Sequence, residues 1–528
     1  MRSAEVKGAE AILETLHRGG IDTIFANPGT SEIALVRALD ETPAVRAVLG
    51  LFEGVVTGAA DGYFRMSGRP AATLLHTGPG LANGCANLHN ARRARSAIVN
   101  VVGDHARDHL ALDAPLTTDV TAVAGPFSVW VRRIAEPADA GRDTADAITV
   151  AQERRGPATL IVPADIAWTD GSDPVTPPAI AARALPDDAA IENAANVLRN
   201  SGPRALLLLG GGALDGQGIA TAARIAAATG ARIASETFNA RAARGAGRPF
   251  VPRVPYFGEA AEQFLAGVAH LLLVESRAPV NFFGYPGRRG QPLPLDAAVS
   301  TLATHAEDGS AALIALAERL APGVGTPLPS ITLPERPQGP INAASFAAAL
   351  ARRLPENAIY CDEAITAGLE LPGVMAGAEP HDELDLMGGA IGGALPLATG
   401  AALGSPGRKV ICASGDGSAL YTIQALWTQA RENLDVTTII CANRVYAILA
   451  YEHLQIEGRP PGPRALPVLS LARPAIGFAD LARGFGVEAT SVASAEALDD
   501  ALDAAGRRRG PFLIEAVFEP MTLPATRP

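Results

Sequence analysis

Residues 415–443 read GDGSALYTIQALWTQARENLDVTTIICAN, and this stretch predicts a β-α-β unit that carries a metal site. The apolar run Val410–Ala413 leads into it, and a second apolar run, Val436–Ala442, ends just before Asn443. The interval between Asp416 and Asn443 suits one crossover helix. Because ligands bind at the carboxyl ends of the strands in open α/β sheets, both side chains are expected at one ligand-binding edge.

The residue types in this stretch match the chemistry of magnesium and phosphate. A carboxylate oxygen from Asp416 and an amide oxygen from Asn443 are hard ligands, and Mg²⁺ held in this way takes its remaining ligands from phosphates and water. Gly415 and Gly417 let the backbone approach a diphosphate closely, and the helix after them would direct N–H groups at the anion. The alternative is an ordinary strand-to-helix turn, with Asn443 capping a strand.

Length and composition predict a multidomain protein that neither spans a membrane nor binds nucleic acid. The chain has 528 residues, of which 48% are hydrophobic, enough for several domain cores. No uncharged apolar run reaches the ~18 residues of a membrane span, and the N-terminal MRSAEVKGAE lacks the apolar region of a secretory signal. The net charge is −11 and no basic block is longer than Arg507–Arg509, so nucleic acid is not an expected partner.

Cysteine usage indicates the redox compartment, and lysine usage argues against two kinds of site. The four cysteines are scattered without CxxC spacing, which is typical of buried thiols in a reducing compartment and predicts a cytoplasmic protein. Lys7 and Lys409 are the only two lysines. The sequence therefore has no GK[ST] phosphate loop and hardly a candidate for a Schiff-base lysine.

The chain divides into three α/β segments joined by proline-rich connectors. We predict domains at residues 1–170, 190–323 and 341–528. Helical and apolar segments alternate within them, which indicates parallel sheets covered on both faces. The predicted fold class is α/β, with three doubly wound parallel-sheet domains. Strands are predicted at 23–26, 46–51, 71–75, 98–102, 159–162, 204–209, 271–274, 410–413, 436–442 and 511–517, and helices at 8–18 and 54–65.

Glu53 is a candidate reactive group in the first segment. It follows an apolar strand and stands at the start of the helix that GVVTGAADGYFR predicts. A carboxylate pressed among Leu51, Phe52 and Val55 is partly desolvated, which would make it able to hand a proton to a ring nitrogen. The alternative is a structural acid in a first helical turn, where the helix dipole favours it.

Five motifs taken together resemble the thiamine-diphosphate-dependent 2-keto-acid enzymes. They are Asn27-Pro28-Gly29, then Glu53, HTGPGLAN at 76–83, GGAIGGALP at 388–396 and the GDG…N unit, and they span the whole chain in order. The pattern is most similar to benzoylformate decarboxylase and to large-subunit-like members of the acetolactate synthase group. The resemblance implies pyrimidine-binding, central and diphosphate-binding domains, which match the three segments. It also implies a homodimer at minimum and a homotetramer as the expected assembly, with the glutamate and the diphosphate site supplied by different chains.

The resemblance assigns roles to residues of this chain. Glu53 matches the glutamate that protonates the aminopyrimidine N1′ of the coenzyme, which carries the difficult chemistry while the protein positions it. Gly389 matches the carbonyl that accepts from the 4′-amino group, and Ile391 matches the apolar wedge between the two rings. The implied metal ligands are Asp416, Asn443 and the carbonyl of Val445. Further coenzyme contacts are implied for Asn27, Pro28, Gly29, Thr366, Gly415, Gly417, Ser418 and Tyr446.

His76, Thr30 and Glu452 are the candidate substrate-contacting residues. His76 falls where benzoylformate decarboxylase has an active-site histidine and acetolactate synthases usually have a small residue, and a histidine is a natural proton relay near neutrality. The alternative is a structural histidine after a strand. Thr30 falls where the decarboxylase has a substrate-binding serine, and the alternative for it is a turn or helix cap.

The sequence also departs from both relatives. The decarboxylase has a second histidine whose position falls in the stretch Ala278–Tyr285, and that stretch contains none. Glu452 stands where acetohydroxyacid synthases use a tryptophan to select the second keto acid, and an acid there would repel a carboxylate acceptor. The alternative for Glu452 is an exposed helix carboxylate paired with an arginine.

The expected function is decarboxylation of a 2-keto acid by a lyase that uses thiamine diphosphate and Mg²⁺, with carboligation to an aldehyde acceptor as a further outcome. Alternatives are an acetolactate synthase-type carboligase and an inactive cofactor-binding paralogue, although retention of Glu53 disfavours the paralogue. A nicotinamide dehydrogenase would need a G-x-G-x-x-G turn in the first unit, which Asn27-Pro28-Gly29 does not supply. Gly210–Gly212 is too weak a nucleotide pattern to predict FAD, which is not expected.

Overall fold

Three mostly parallel sheets flanked by helices make up the described residues, 6–326 and 328–519, of a computed structural model. This architecture confirms the predicted α/β class. The predicted domain boundaries stay predictions. Within the described residues no helix is long and apolar enough to cross a bilayer. The first half of the N-terminal MRSAEVKGAE stretch, on which the absence of a secretory signal was predicted, lies outside the described residues.

The first unit contains a six-stranded parallel sheet in the order β2-β1-β3-β4-β6-β5. Its strands are β1 Thr23–Asn27, β2 Arg46–Leu49, β3 Ala71–Leu75, β4 Ile98–Asp104, β5 Trp130–Arg133 and β6 Pro157–Pro163. Its helices are α1 Gly8–Arg18, α2 Ile33–Glu41, α3 Glu53–Ser67, α4 Thr77–Ala94, α5 Val120–Ala124, α6 Ala140–Glu153 and α7 Ala164–Trp168. Strands β1, β3, β4 and β6 are almost completely buried, as expected for apolar runs covered on both faces.

The central unit contains a four-stranded parallel sheet in the order β11-β10-β7-β8. Its strands are β7 Ala205–Leu209, β8 Arg232–Ser235, β10 His270–Val274 and β11 Ala298–Ala303. Its helices are α8 Asp188–Ser201, α9 Gly216–Thr229, α10 Gly258–Leu265 and α11 Gly309–Leu320. A short strand from the same part of the chain, β9 Ala242–Arg244, leaves this sheet and pairs antiparallel with the third one.

The third unit contains a seven-stranded sheet in the order β16-β17-β15-β14-β12-β13-β9. Its own strands are β12 Ile359–Glu363, β13 His381–Asp385, β14 Val410–Gly415, β15 Val436–Ala442, β16 Glu488–Val492 and β17 Phe512–Val517. Its helices are α12 Ala343–Arg353, α13 Leu371–Val374, α14 Ala394–Gly404, α15 Asp416–Ala419, α16 Ala425–Arg431, α17 Ala447–Glu457, α18 Leu466–Leu469, α19 Phe478–Gly484 and α20 Ala495–Gly506.

The connection between β14 and β15 corrects the prediction of a single crossover helix. It consists of the two short helices α15 and α16, separated by a turn at residues 420–424. The Thr422 hydroxyl in this turn donates to the Gly392 carbonyl at 2.8 Å. The turn is thus tied to a residue far away in sequence, a contact that local periodicity does not reveal.

Helices α3 and α14 fix the first unit against the third. Small residues let the two backbones touch: a Cβ added at Gly62 would lie 2.0 Å from the Leu397 carbonyl oxygen, and one added at Gly400 would lie 1.8 Å from that of Ala59. The Thr428 hydroxyl adds a hydrogen bond to the Leu49 carbonyl at 3.0 Å. The first and third units therefore pack directly against each other along α3 and α14.

Candidate active site

The side chains of Glu53 and His76 both pack against Gly80 in the first unit. Glu53 begins α3, is only 9% exposed and accepts a hydrogen bond from the Asn83 side-chain amide at 3.0 Å. A Cβ added at Gly80 would lie 2.9 Å from Glu53 Oε1 and 3.3 Å from His76 Cβ, so only glycine lets the two side chains approach. The predicted neighbour Leu51 is 43% exposed and does not enclose the carboxylate, because β2 ends at Leu49.

A buried carboxylate that sequence reasoning missed holds His76. Glu32 is fully buried, and its Oε2 lies 2.8 Å from His76 Nδ1 and accepts the Gly29 N–H at 2.7 Å. Burial raises the pKa of Glu32, while the Gly29 N–H and His76 act in the opposite direction. The sequence feature that could have pointed to Glu32 is the acid three residues after Gly29 in NPGTSE. Because Nδ1 is held, Nε2 is the ring nitrogen left to exchange a proton with a substrate.

The turn after β1 lies against the same histidine. A Cβ added at Gly29 would lie 2.4 Å from the His76 ring, so the glycine is required by close approach. Asn27 ends β1 and, like Pro28, is half-buried. Thr30 is exposed and begins a single 3₁₀ turn at Thr30–Glu32, whose N-cap is Gly29, so Thr30 does not cap it.

Asp416 and residues 443–445 come together at the carboxyl ends of β14 and β15. Asp416 is 4% exposed, and its two carboxylate oxygens accept from the Gly417 N–H at 2.9 Å and the Arg444 N–H at 2.6 Å. Asn443 Oδ1 accepts from the Val445 N–H at 3.0 Å. Burial raises the pKa of Asp416, and the two N–H groups oppose that shift. The structure thus brings together the residues that the sequence paired.

The donor set fits a magnesium-bound diphosphate. Asp416, Asn443 and the Val445 carbonyl offer carboxylate, amide and backbone oxygens, which are the ligands that Mg²⁺ prefers. Gly417 packs against the Tyr446 ring, since an added Cβ would lie 2.3 Å from a ring carbon. Gly415 starts the turn, Ser418 is buried in α15, and Thr366 is buried in a 3₁₀ turn at Ile365–Gly368.

The turn at residues 388–393 carries Gly389 and Ile391, and helix α4 of the first unit holds it. Gly389 has φ +73° and Gly392 has φ +89°, so the turn needs glycine at both positions. Asn90 Nδ2 donates to the Ala390 carbonyl at 2.8 Å. Ile391 is half-buried between these glycines. Further contacts from α4 join His89 Nε2 to the Gly388 carbonyl at 3.2 Å and Asn87 Nδ2 to the Gly392 carbonyl at 3.3 Å.

A second carboxylate that the sequence did not reveal holds the same turn from the opposite side. Glu363 ends β12, and its carboxylate accepts the Gly392 N–H at 2.6 Å and the Ala394 N–H at 3.0 Å. Burial raises the pKa of Glu363 to about 7, against the lowering effect of these N–H groups. An acid that closes an apolar strand was the available signal, but its partners lie about thirty residues away.

The segment Ala278–Tyr285, which lacks the second histidine, reaches the site with aromatic rings instead. A Cβ added at Gly389 would lie 2.6 Å from the Phe282 ring. Three residues further on, the Tyr285 hydroxyl donates to Glu452 Oε2 at 2.8 Å. Glu452 is therefore a half-buried carboxylate paired with a tyrosine, which corrects the alternative of an exposed carboxylate paired with an arginine.

The carboxylate of Glu275 occupies the glycine turn Gly210–Gly212 of the central unit. Glu275 is almost fully buried and accepts from the Gly212 N–H at 3.1 Å and the Gly309 N–H at 2.8 Å. Beside it lies a cavity of about 1040 Å³ whose lining includes Arg95, Arg155, Arg183, Arg277 and His305. The Gly212 N–H, which a nucleotide phosphate would need, is already paired with Glu275.

Two family descriptions match separate parts of this chain. The family description "Thiamine pyrophosphate enzyme, N-terminal TPP binding domain" matches residues 6–123, and "Thiamine pyrophosphate enzyme, C-terminal TPP binding domain" matches residues 377–516. The two matches contain Glu53 and His76 in one case and Gly389, Asp416 and Asn443 in the other.

Similar proteins cover nearly the whole chain. IlvX of Mycobacterium tuberculosis, named as a candidate acetolactate synthase large subunit, is 50% identical over 97% of this chain and 99% of its own length. Benzoylformate decarboxylase of Pseudomonas aeruginosa is 31% identical over 96% of this chain and 97% of its own. Among solved structures, a thiamine diphosphate-dependent 4-hydroxybenzoylformate decarboxylase of Rhodococcus jostii matches with a TM-score of 0.84 and 26% identity, covering 98% of this chain and 100% of its own.

Proposed function

Because this chain belongs to the thiamine pyrophosphate enzymes of the acetolactate synthase and benzoylformate decarboxylase group, we propose that it decarboxylates a 2-keto acid with thiamine diphosphate and Mg²⁺. The observation that carries the proposal is the contact of His76 with buried Glu32 beside the Glu53 carboxylate. It supplies an oriented proton relay next to the group expected to serve the coenzyme.

In this proposal, different residues of the chain bind the coenzyme and transfer protons. Thiamine diphosphate, when bound, supplies the nucleophilic carbon and the electron sink for cleavage. Asp416, Asn443 and the Val445 carbonyl would hold Mg²⁺, and the N–H groups of Gly417 and Ser418 would meet the diphosphate. The Gly389 carbonyl, the Ile391 side chain and the Asn27–Gly29 turn would orient the rings. Glu53 would hold a proton at the pyrimidine nitrogen, and His76 would deliver one to the product.

Acetolactate synthesis is the second candidate reaction. The name of the half-identical M. tuberculosis protein favours it. Glu452 disfavours it, because a carboxylate beside the site repels the carboxylate of a second 2-keto acid. An uncharged aldehyde acceptor avoids this repulsion, so carboligation to an aldehyde is compatible with decarboxylation.

We also propose that the protein works as a homodimer at minimum, and as a homotetramer in its full assembly. The support is the family resemblance, in which the glutamate and the diphosphate site are supplied by different chains. In such an assembly one chain would supply Glu53 and His76, and its partner would supply the metal ligands.

The test is a substrate panel with the full chain, thiamine diphosphate and Mg²⁺. Release of CO₂ from pyruvate, benzoylformate or 4-hydroxybenzoylformate is expected, and a colour test for acetoin after acidification of the pyruvate reaction separates acetolactate formation from simple decarboxylation. Coenzyme that binds without turnover of any 2-keto acid would support the inactive paralogue.

Glu53→Gln tests the mechanism directly. Because glutamine cannot hold the proton at the pyrimidine nitrogen, we expect hydrogen exchange at the coenzyme C2 to fall by about 100-fold or more. The measurement is deuterium exchange followed by NMR. Glu457→Gln, at an exposed position of α17, is the matched control and should exchange as the native protein does. Unchanged exchange in Glu53→Gln would overturn the assigned role.

A further inference from the structure

The cavity of about 1040 Å³ beside Glu275 is lined by both the first and the central unit. Arg95 and Arg155 reach it from the ends of α4 and α6. Arg277 and His305 reach it from the segments that follow β10 and β11. Its size is at the upper end of the range for small-molecule sites. The two units therefore face each other across a space that is large enough for a ligand and is lined by basic side chains.

Two of the arginines stand at positions that usually hold glycine. Arg95 directly follows α4 and has φ +61°, and Arg155 comes two residues after the end of α6 and has φ +52°. Glycine is the common residue there, because it adopts a positive φ without strain. The helix dipole favours a cation near a helix end but does not require it at the left-handed position itself. Strain of this kind is typical of functional sites.

Three of the guanidinium groups lack a protein partner. Among the described residues, the side chains of Arg95, Arg155 and Arg277 make no hydrogen bond and no ion pair. A fourth cation, Arg183, pairs with Glu275 Oε2 at 2.7 Å. Guanidinium groups bind carboxylates and phosphates through two parallel N–H donors. The cavity thus presents donors for an anion that the described part of the chain does not supply.

The basic groups act on one another across the cavity. Burial lowers the pKa of Arg95 to about 10, and the charges of Arg277 and Arg155 act in the same direction. Burial and the arginine charges lower the pKa of His305 to about 3, so its imidazole is neutral at pH 7. Glu236 offsets little of this charge, because burial raises its pKa to about 7. Like charges therefore repel one another here, and a bound anion would reverse that interaction.

We propose that this cavity binds a small multivalent oxyanion between Arg95, Arg155 and Arg277, and that the bound anion ties the first unit to the central unit. Inorganic phosphate is the simplest member of this class. The glycine turn takes no part in binding, because Glu275 already accepts the Gly212 N–H. The inference goes beyond the proposed function and does not depend on it.

Thermal denaturation of the full chain, with thiamine diphosphate and Mg²⁺ present, tests the inference. Inorganic phosphate at about 10 mM should raise the Tm by about 2 °C or more, since a ligand that binds only the folded state stabilises it. Potassium chloride at the same ionic strength is the control for general screening and should not produce this rise.

Arg155→Gln makes the test specific to the cavity. Without phosphate this variant should melt above the native protein, because one of the mutually repelling charges is gone. With phosphate it should lose most of the rise in Tm. Arg154→Gln is the matched control, since Arg154 is the exposed neighbour and does not line the cavity, and it should respond to phosphate as the native protein does. Arg95→Gln is the second variant and should behave like Arg155→Gln.

Calorimetry with phosphate measures the same site without unfolding the protein. The native holoenzyme should bind one phosphate per chain in this cavity, and Arg155→Gln should bind it at least about 10-fold more weakly. A native protein that does not respond to phosphate, or a response that both variants keep in full, would overturn the inference. FAD that bound the same arginines more tightly than phosphate does would overturn the small-anion assignment. Each of these results leaves the proposed decarboxylation as it stands, because none of them is read from turnover.

Discussion

The contact between His76 and Glu32 orients the imidazole that we propose as the proton relay. Glu32 is fully buried and its Oε2 lies 2.8 Å from Nδ1, so Nδ1 is the ring nitrogen engaged with the protein and Nε2 is left outside this contact. In the proposed mechanism Glu32 is therefore a positioning residue, which acts through the histidine and not on the reacting atoms. A catalytic histidine in the wrong tautomer keeps its place but loses its function.

Glu32→Gln tests this positioning role. Both contacts fall on Oε2, so a glutamine would present one uncharged group to the Gly29 N–H and to Nδ1 together. An amide oxygen there removes the negative charge beside the imidazole, and an amide nitrogen there loses the Gly29 hydrogen bond. We expect kcat to fall by about 100-fold, with KM changed by less than about 3-fold. Steady-state kinetics across pH checks the split, and Glu41→Gln, an exposed acid at the end of α2, is the control. A folded Glu32→Gln enzyme with native kcat would rule out the role.

The sequence revealed some residues of the site but not those that support them. Asp416 and Asn443 could be predicted because each follows an apolar strand run, and parallel strands end at one edge. Glu32 could not be predicted, since His76 lies 44 residues away and only the tertiary fold brings it close. Glu363 was missed for the same reason, because its partners belong to a turn that begins in another element.

At the scale of elements, the turn at residues 388–393 is held on two sides by different units. Asparagines and a histidine of α4 hold its carbonyl groups, and Glu363 at the end of β12 holds its N–H groups. The break between α15 and α16 adds the Thr422 hydroxyl. Strand runs such as β15 were predictable from composition, whereas this break was not, because its contact with Gly392 joins residues about thirty positions apart in sequence.

Glu363→Gln should change how stability depends on pH. Burial raises the pKa of Glu363 to about 7, so the folded protein binds this proton more tightly than the unfolded chain does. The stabilising contribution is complete below about pH 4.5 and is lost as pH rises through about 7. Relative to Glu363→Gln, the native protein should lose up to roughly 3 kcal/mol of unfolding free energy over this range.

Thermal denaturation at several values between pH 5 and pH 8, without coenzyme, checks this sign. The difference in Tm between the native protein and Glu363→Gln should move steadily against the native protein as pH rises. The exposed variant Glu457→Gln should track the native protein at every pH. A difference that stays flat would mean that Glu363 does not titrate in this range.

At the scale of the whole molecule, the question is which chain completes the site. Within one chain, Asn87 Nδ2 donates to the Gly54 carbonyl at 2.8 Å and to the Gly392 carbonyl at 3.3 Å, so the start of α3 already lies near the turn at residues 388–393. We propose that Glu53 nevertheless serves the metal site of a partner. Mixing two defective chains distinguishes these arrangements.

Glu53→Gln and Asp416→Ala should each be inactive when purified alone. If the site is shared, random mixed dimers contain one intact site, and an equal mixture should regain about a quarter of native activity. The measurement is CO₂ release after co-expression with two different affinity tags. Co-expression of two differently tagged Glu53→Gln chains is the control and should regain none. No recovery in verified mixed dimers would place the whole site within one chain.

Glu275 in the central glycine turn has a consequence for how this protein responds to its surroundings. A protein whose loop closes around a diffusible anion gains stability by mass action, so its melting point follows the concentration of that ligand. Here the anion is tethered to the chain, and its local concentration never changes. The glycine turn should therefore stay ordered at any dilution and in any metabolic state of the cell.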